Sequence, residues 1–441
     1  MQATAETSSF LTSAREASAQ LPDPTGGPLA ALRQRGFERF EALGFPTTRM
    51  EDWRSTSVAP LAQSSFVAAP RDTKLAPEDI APHTYAGTCS LVFVDGVFST
   101  ELSSQPDVPE GVFAGTLQDA LEQRPAEVMK HLGQYARLDE QAFVALGTSH
   151  LQDGFCFLIP KGVVVEQALH VLFVSATPGV AAYPRLLIVA GENSQATLVE
   201  SYVALHEGEG FNGPISEFAL DANAVVDHYK IQRENLSTFH IATQQVYQGR
   251  SSTLRSHSIS IGGRLVRNDA NGVLDAEGIS CTLNGLYLVD GDQHVDNHMR
   301  VDHAKPNCYS HELYKGILDG GGRSVFNGLI HVHPDAQKTD AVQSNRNLLL
   351  SSNSLASSNP QLEIFADDVR CTHGSTIGQL DEDAIFYLRS RGIGDAAARS
   401  LLTYAFASDI IERIKIDSVR EEMEEFLFHR LPHGEIVRQA V

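Results

Sequence analysis

The sequence predicts a mainly β protein: a β-helix core held between an N-terminal and a C-terminal α-helical part. Three observations carry that expectation. From about position 150 to about position 378 no convincing amphipathic helix occurs, only short apolar runs such as LLIVA (186–190), ATLVESYVAL (196–205) and NLLLSS (347–352). Turn-type dipeptides punctuate them: Asn212-Gly213, Asn271-Gly272, Asn284-Gly285, Asp290-Gly291, Asp319-Gly320 and Asn327-Gly328. Asn, Asp, Gly and Ser crowd the intervals, which suits the tight corners of stacked coils. A sandwich or a propeller shares the local signals, but no blade-length repeat supports a propeller.

Residues 1 to about 45 read as helical, because Leu32, Phe37, Phe40 and Leu43 recur every three to five positions until Gly44 and Pro46 stop the pattern. The segment RMEDWRST carries the only tryptophan, Trp53, and reads as an anchor that packs this arm down. Residues 60 to 85 are rich in Pro, Ala, Ser and Asp, the composition of a linker or irregular wrap. Leu91 to Phe98, turning at Asp95-Gly96, reads as strand–turn–strand, and helical text follows to about residue 145. The expected division is therefore 1–145, an N-terminal helical region with linker and short strands; 146–378, the β-helix; and 379–441, a helical module capping the strands. Gly320, Gly321 and Gly322 read as a solenoid corner. In the module Asp381 is placed to cap a helix with Glu382 and Asp383 in its first turn, and Gly392 to stop it. Leu402, Phe406, Ile410 and Ile414 then step along one face of a second helix, and Val419, Met423, Phe426 and Leu427 along a third.

Composition bounds the function. With 441 residues, 42% hydrophobic and 20% charged, the chain has an ordinary globular balance. Its formal net charge of -21 argues against nucleic acid or an anionic membrane as the main partner. No apolar run approaches the ~20 residues that span a bilayer, and the N-terminus lacks a secretory apolar stretch. Five scattered cysteines without a C-x-x-C pair fit reduced thiols in a cytoplasm.

No phosphate loop, dinucleotide fingerprint, H-E-x-x-H helix or nucleophile elbow is present, so an independent nucleotidase or hydrolase is not expected. Among seventeen histidines, the pair His331/His333 and the group His294, His298 and His303 are close in sequence, but spacing alone favours ordinary hydrogen-bonded side chains. Cys371 and His373 lie two apart at the end of the strand region. An alternating strand directs both to one face, either to meet a soft or borderline metal or merely to pack and hydrogen-bond. Two ligands do not complete a tetrahedral site, so a metal reading demands donors from elsewhere. Asp367-Asp368 and Asp381 to Asp383 read as a solvated turn and a helix cap.

The run AQKTDAVQSNRNLLLSSNS (336–354), followed by PQLEIFADDVRCTHGSTIGQLDEDAIFYLRSRGI (360–393), resembles the SufB/SufD family of iron–sulfur cluster assembly subunits. PKGVVVEQALHV (160–171) and RMEDWRST match it too, so the resemblance spans most of the chain. Within the family it is closer to the SufD branch. Gly374 follows the histidine where SufB-like chains have Glu, the N-terminus has no cysteine-rich motif, and the region around Ser354 lacks the cysteine that SufB-like chains supply.

The resemblance implies a right-handed parallel β-helix and a non-enzymatic role. It implies pairing through the β-helix with a SufB-like subunit, and docking of a SufC-like ABC ATPase on the C-terminal helices, with Asp381, Tyr387, Arg389, Arg391, Leu402 and Phe406 as contact residues. His373 and Cys371 would contribute to a shared interface where iron or a transient iron–sulfur cluster is handled, no cofactor being held firmly by the isolated chain. ATP-driven closure of two ATPase copies would reshape that interface. A homodimer of the isolated chain is a further expectation. Two alternatives are a SufB-like scaffold that holds a whole cluster alone, and a β-helical enzyme acting on polysaccharide.

Overall fold

The computed structural model describes residue 27 and residues 29–67, 69–70 and 73–440. The helical expectation for residues 1–26 lies outside the described residues. Of the N-terminal reading, Ala30–Leu43 is a helix ended by Gly44 at φ 62°. The hairpin forms as read, with Cys89–Val94 antiparallel to Val97–Ser99 across Asp95 and Gly96, both at positive φ.

The strands of 154–378 build a parallel solenoid of two facing sheets, one of ten strands and one of eleven, and Cys89–Val94 joins the first of them. In the first sheet Thr253 lies beside Ser280, Ser280 beside Tyr309, Tyr309 beside Asp340 and Asp340 beside Arg370. In the second, Leu265 lies beside His294, then Arg323, then Leu355. Each coil thus takes roughly thirty residues, places one strand in each sheet and repeats the inward and outward alternation of the coil before it.

One corner of each of six successive coils is set by a residue in the left-handed region. Asn193, Asn223, Ser251, Gly278, Asn307 and Lys338 have φ between 55° and 72°. The amides of Asn193, Asn223, Ser251, Asn307 and Lys338 donate to the carbonyls of Ala222, Arg250, Glu277, Gln337 and Asp368 in the next coil. Asn tolerates this conformation because its short amide bonds locally, and Asn223 Nδ2 donates to Asn193 Oδ1 at 2.9 Å.

Half of the expected turn dipeptides are not turns. Asp290-Gly291 and Asp319-Gly320 sit at corners, as does the glycine triplet. Asn271-Gly272, Asn284-Gly285 and Asn327-Gly328 instead lie inside strands. Their glycines make room across the interior: a Cβ on Gly285 would fall 2.2 Å from the Tyr314 ring, and one on Gly328 2.2 Å from Gln343.

The interior changes character along its axis. Near the first coils it is aromatic and aliphatic, with Phe93, Phe155, Phe157, Phe173 and Phe218. Later coils point Glu312, Gln343, Asn345 and Asn347 inward. Helices cover the outer faces. Ala142–Ser149, buried from Phe143 onward, and Ala30–Leu43 lie over the early part of the second sheet, where Trp53 sandwiches between Phe143 and the Arg267 guanidinium, 3.7 Å from its ring centre. Asp395–Ile411 and Asp417–Arg430 pack Tyr404, Ala407, Ile410, Met423 and Leu427 on Tyr229, Ile231, Ile259, Leu286 and Ile317 of the first sheet. The C-terminal module therefore does not cap the strands, as the sequence suggested; it lies along their side. Its apolar stripe fits the flat outer face of a sheet, and among the described residues the last coil is left bare. No helix among the described residues is long and apolar enough to cross a membrane.

Candidate functional site at the open end of the solenoid

The last coil consists of Leu355–Ile364 and Arg370–Gly378. Each pairs with a preceding strand on one edge only, and both stand at the ends of their sheets. Nearly every residue of Arg370–Gly378 is exposed, and the coil presents Leu355, Ile364, Phe365 and Ile377 to solvent. Unpaired strand edges of this length, bearing apolar side chains, are templates for another chain.

Register places the two sulfur and nitrogen donors on this surface. Cys371 stands beside Ala341 and His373 beside Gln343, so both belong to the inward-facing row of the strand. Cys371 is half-buried against Ile330, Val332, Ala336, Ala341 and Ala366. Burial pushes its thiol up, the Asp340 carboxylate adds to this and the Ala341 amide opposes it, so in the free chain it carries its proton. It is also the one cysteine among the five that is not fully buried. His373 is exposed. Among the described residues no group of three or more His, Cys, Asp or Glu is set to hold a metal ion. A thiol and an imidazole suit iron, but they make only part of a donor set.

Four of the other histidines singled out from spacing have a polar partner of their own. His294 meets Thr56 Oγ1 at 2.8 Å, His298 meets Asp296 at 3.1 Å, and His303, turned inward, meets Ser310 Oγ at 2.8 Å. His331 and His333 do share a face, their rings 4.6 Å apart, and His331 pairs with Glu363 at 2.9 Å. Asp368 forms an ion pair with Lys338 at the corner of the neighbouring coil.

The residues expected to contact an ATPase fall on two helices. Asp381 caps Glu382–Ser390, its carboxylate accepting from the amides of Asp383 and Ala384. In that helix only Ile385 is buried, while Phe386 is 72% exposed and Tyr387 also faces solvent. The Arg391 guanidinium lies over the Tyr387 ring and donates to its hydroxyl at 3.0 Å, and Arg389 pairs with Asp395 at 3.5 Å. Leu402 is half-buried. Phe406, also half-buried, is engaged within the chain: the Lys315 ammonium lies 4.8 Å from its ring and donates to its carbonyl. Phe386, Phe365 and Ile377 were missed in the sequence, since an exposed apolar residue looks like a core one until its neighbours are known.

Comparison with known proteins agrees with this architecture. The family described as SUF system FeS cluster assembly, SufBD core domain, matches residues 173–406, and the SufBD protein N-terminal region matches residues 5–171. An iron–sulfur cluster assembly SufBD family protein of Synechocystis is 33% identical over 90% of this chain and 90% of its own length. The iron–sulfur cluster assembly protein SufD of Escherichia coli is 32% identical over 91% of this chain and 93% of its own. The protein of the same name in Bacillus subtilis is 27% identical over 65% and 66%. With its solenoid core, its flanking helices and these matches over nearly its whole length, the chain belongs to the SufBD family of SUF-system iron–sulfur cluster assembly proteins.

Proposed function

We propose that the chain is a non-catalytic subunit of an iron–sulfur assembly complex whose open solenoid end docks a SufB-like chain. The observation that carries this reading is the bare last coil, where unpaired strand edges and exposed Leu355, Phe365 and Ile377 share one coil with Cys371 and His373. Two donors make half a tetrahedral set, so iron or a nascent cluster, as cargo, is held between chains. Cys371 gives up its proton as the metal binds, and exposed His373 supplies the neutral nitrogen. A second copy of this chain fits the same edges when the partner is lacking. The exposed Phe386 and Tyr387 on Glu382–Ser390 form the platform for an ABC-type ATPase, with Arg389, Arg391 and Asp381 at its rim. ATP-driven closure then moves a helix that adjoins the last coil directly through residues 379–381. With all five cysteines free, a reducing cytoplasm is its compartment.

The test is an anaerobic pull-down of the tagged chain from its own host, wild type against His373→Ala. The expected result is recovery of a SufB-like chain and an ATPase with both, and iron and sulfide with wild type only. Recovery of the chain alone overturns the complex; equal iron with both variants overturns the site.

A further inference from the structure

Four glutamates are buried among the described residues, and three of them face a base. Glu217 meets Arg185 at 2.5 Å, Glu234 meets His240 at 2.9 Å and Glu200 meets His228 at 3.6 Å. For Glu200 and Glu234 burial pushes the carboxyl up, but the imidazole and its hydrogen bonds outweigh it, and both end below the usual range. Glu312 is different. It is 2% exposed, its single hydrogen bond comes from Gln343 Nε2 at 2.7 Å, and its second oxygen has no partner. Burial pushes it up to about 7, with only the Gln343 bond opposing.

Its place in the solenoid gives this a purpose. Glu312 stands beside Gln343, and Gln343 beside His373, in one inward-facing row. The carboxyl thus lies two coils, roughly 10 Å, inside the open end. The Gln343 side-chain oxygen is likewise buried without a partner, so the row from acid to mouth is lined by unspent acceptors. Titratable groups acting around Glu312 are Tyr314 on its own strand and Cys281 on the strand before, both pushed up by burial and neutral. On the strand after it Asp340 is half-exposed at the far end, and no Lys or Arg acts on the carboxyl.

We propose that Glu312 is a proton-exchanging counter-charge for the open end: it is a neutral acid in the free chain and releases its proton when a cation is held at Cys371 and His373. The inference rests on the reading of those two residues as cargo donors. The balance is simple. The divalent cation displaces one proton from the Cys371 thiol and, between about pH 6 and 7, the proton of the Glu312 carboxyl in up to about half of the chains; both leave to solvent, the second past Gln343, and no electron moves. A positive charge ~10 Å away in a protein interior lowers a carboxyl's proton affinity about tenfold. Cargo loading therefore leaves a buried negative charge behind it, and reprotonation of Glu312 favours release.

The experiment adds Co2+ anaerobically to the full chain and to Glu312→Gln, each bound to its SufB-like partner, counting protons released per metal from about pH 5 to 9 and recording the infrared carbonyl band of a protonated carboxyl. Wild type is expected to release up to about half a proton more than Glu312→Gln, the excess peaking between about pH 6 and 7 and vanishing at both extremes, with loss of a carboxyl band that the variant lacks. Equal release at every pH overturns the proposal while leaving the donor site standing. A third variant, Ser375→Lys, sets a permanent cation on the same strand without any metal. The Glu312 band should then titrate about tenfold more acidic; an unchanged midpoint overturns the proposal. If that complex shows no Co2+–thiolate absorption that Cys371→Ser removes, the donor reading fails, and the Ser375→Lys result alone decides the role of Glu312.

Discussion

At the Cys89 end the two sheets stop on short antiparallel strands, Val97–Ser99 and Phe113–Thr116, whereas at the Gly378 end they stop on parallel strands of ten and nine residues, with no further strand among the described residues. The first end is filled: Phe98, Val108, Val112 and Ala114 pack on the aromatic interior, and helices blanket the outer face nearby. The last coil is bare, and its inward row is Cys371, His373, Ser375 and Ile377. One repeating coil thus serves two purposes according to how it is terminated. A short antiparallel strand and a plug of apolar side chains end the solenoid; omitting both leaves it ready to be continued by another chain.

The contrast is broken most severely in the covered half. Glu217 accepts from the amides of Gly133, Tyr135 and Ala136 and from Arg185, tying the N-terminal layer to the second sheet. Glu217→Ala strands the Arg185 charge and should cost about 3–5 kcal/mol, read as a lower urea midpoint. Glu312→Gln should act in the opposite direction. Its native carboxyl titrates at about 7 against an ordinary 4.5, so the unfolded chain releases that proton first as pH rises. Wild type therefore loses stability between about pH 4.5 and 7, and the variant should gain on it by up to about 3 kcal/mol above that window. Equal stability curves from pH 5 to 8 would contradict the burial argument.

Smaller effects sharpen the same comparison. Asn223→Val forces a β-branched residue into the left-handed corner and removes its bond to Asn193, costing about 1–2 kcal/mol in denaturant unfolding. Asp381→Ala removes the cap of the exposed helix at about 1 kcal/mol, visible as faster hydrogen exchange in Glu382–Ser390 and nowhere else. Phe365→Asp at the bare end should change stability by less than about 0.5 kcal/mol yet abolish capture of the SufB-like chain. If it instead lowers the urea midpoint as Glu217→Ala does, the last coil is a packed end and not a docking edge.

Much of this was legible. The Asp95-Gly96 hairpin, the corners at Asp290-Gly291 and Asp319-Gly320, the Asp381 cap and the shared face of Cys371 and His373 all rest on local rules of two to four residues. The rest depends on neighbours thirty residues away. Asn284-Gly285 and Asn327-Gly328 look like turns until Tyr314 and Gln343 are seen lying over the glycines. The corner ladder hides because Asn, Asn, Ser, Gly, Asn and Lys fill one role at roughly thirty-residue intervals. Glu312 carries no signal at all in the chain, since its isolation is a property of what three strands place around it.

The corner ladder also sets the mechanics of the molecule. The backbone bonds between coils, including those from Asn193, Asn223, Ser251, Asn307 and Lys338, point along the solenoid axis. A force across the axis must shear many of these bonds together, so the body behaves as a stiff rod. A force along the axis at its end loads one coil at a time, like the last tooth of a zip. The terminal coil, held from one side only, is the most compliant part of that rod, and it is the part that carries Cys371 and His373.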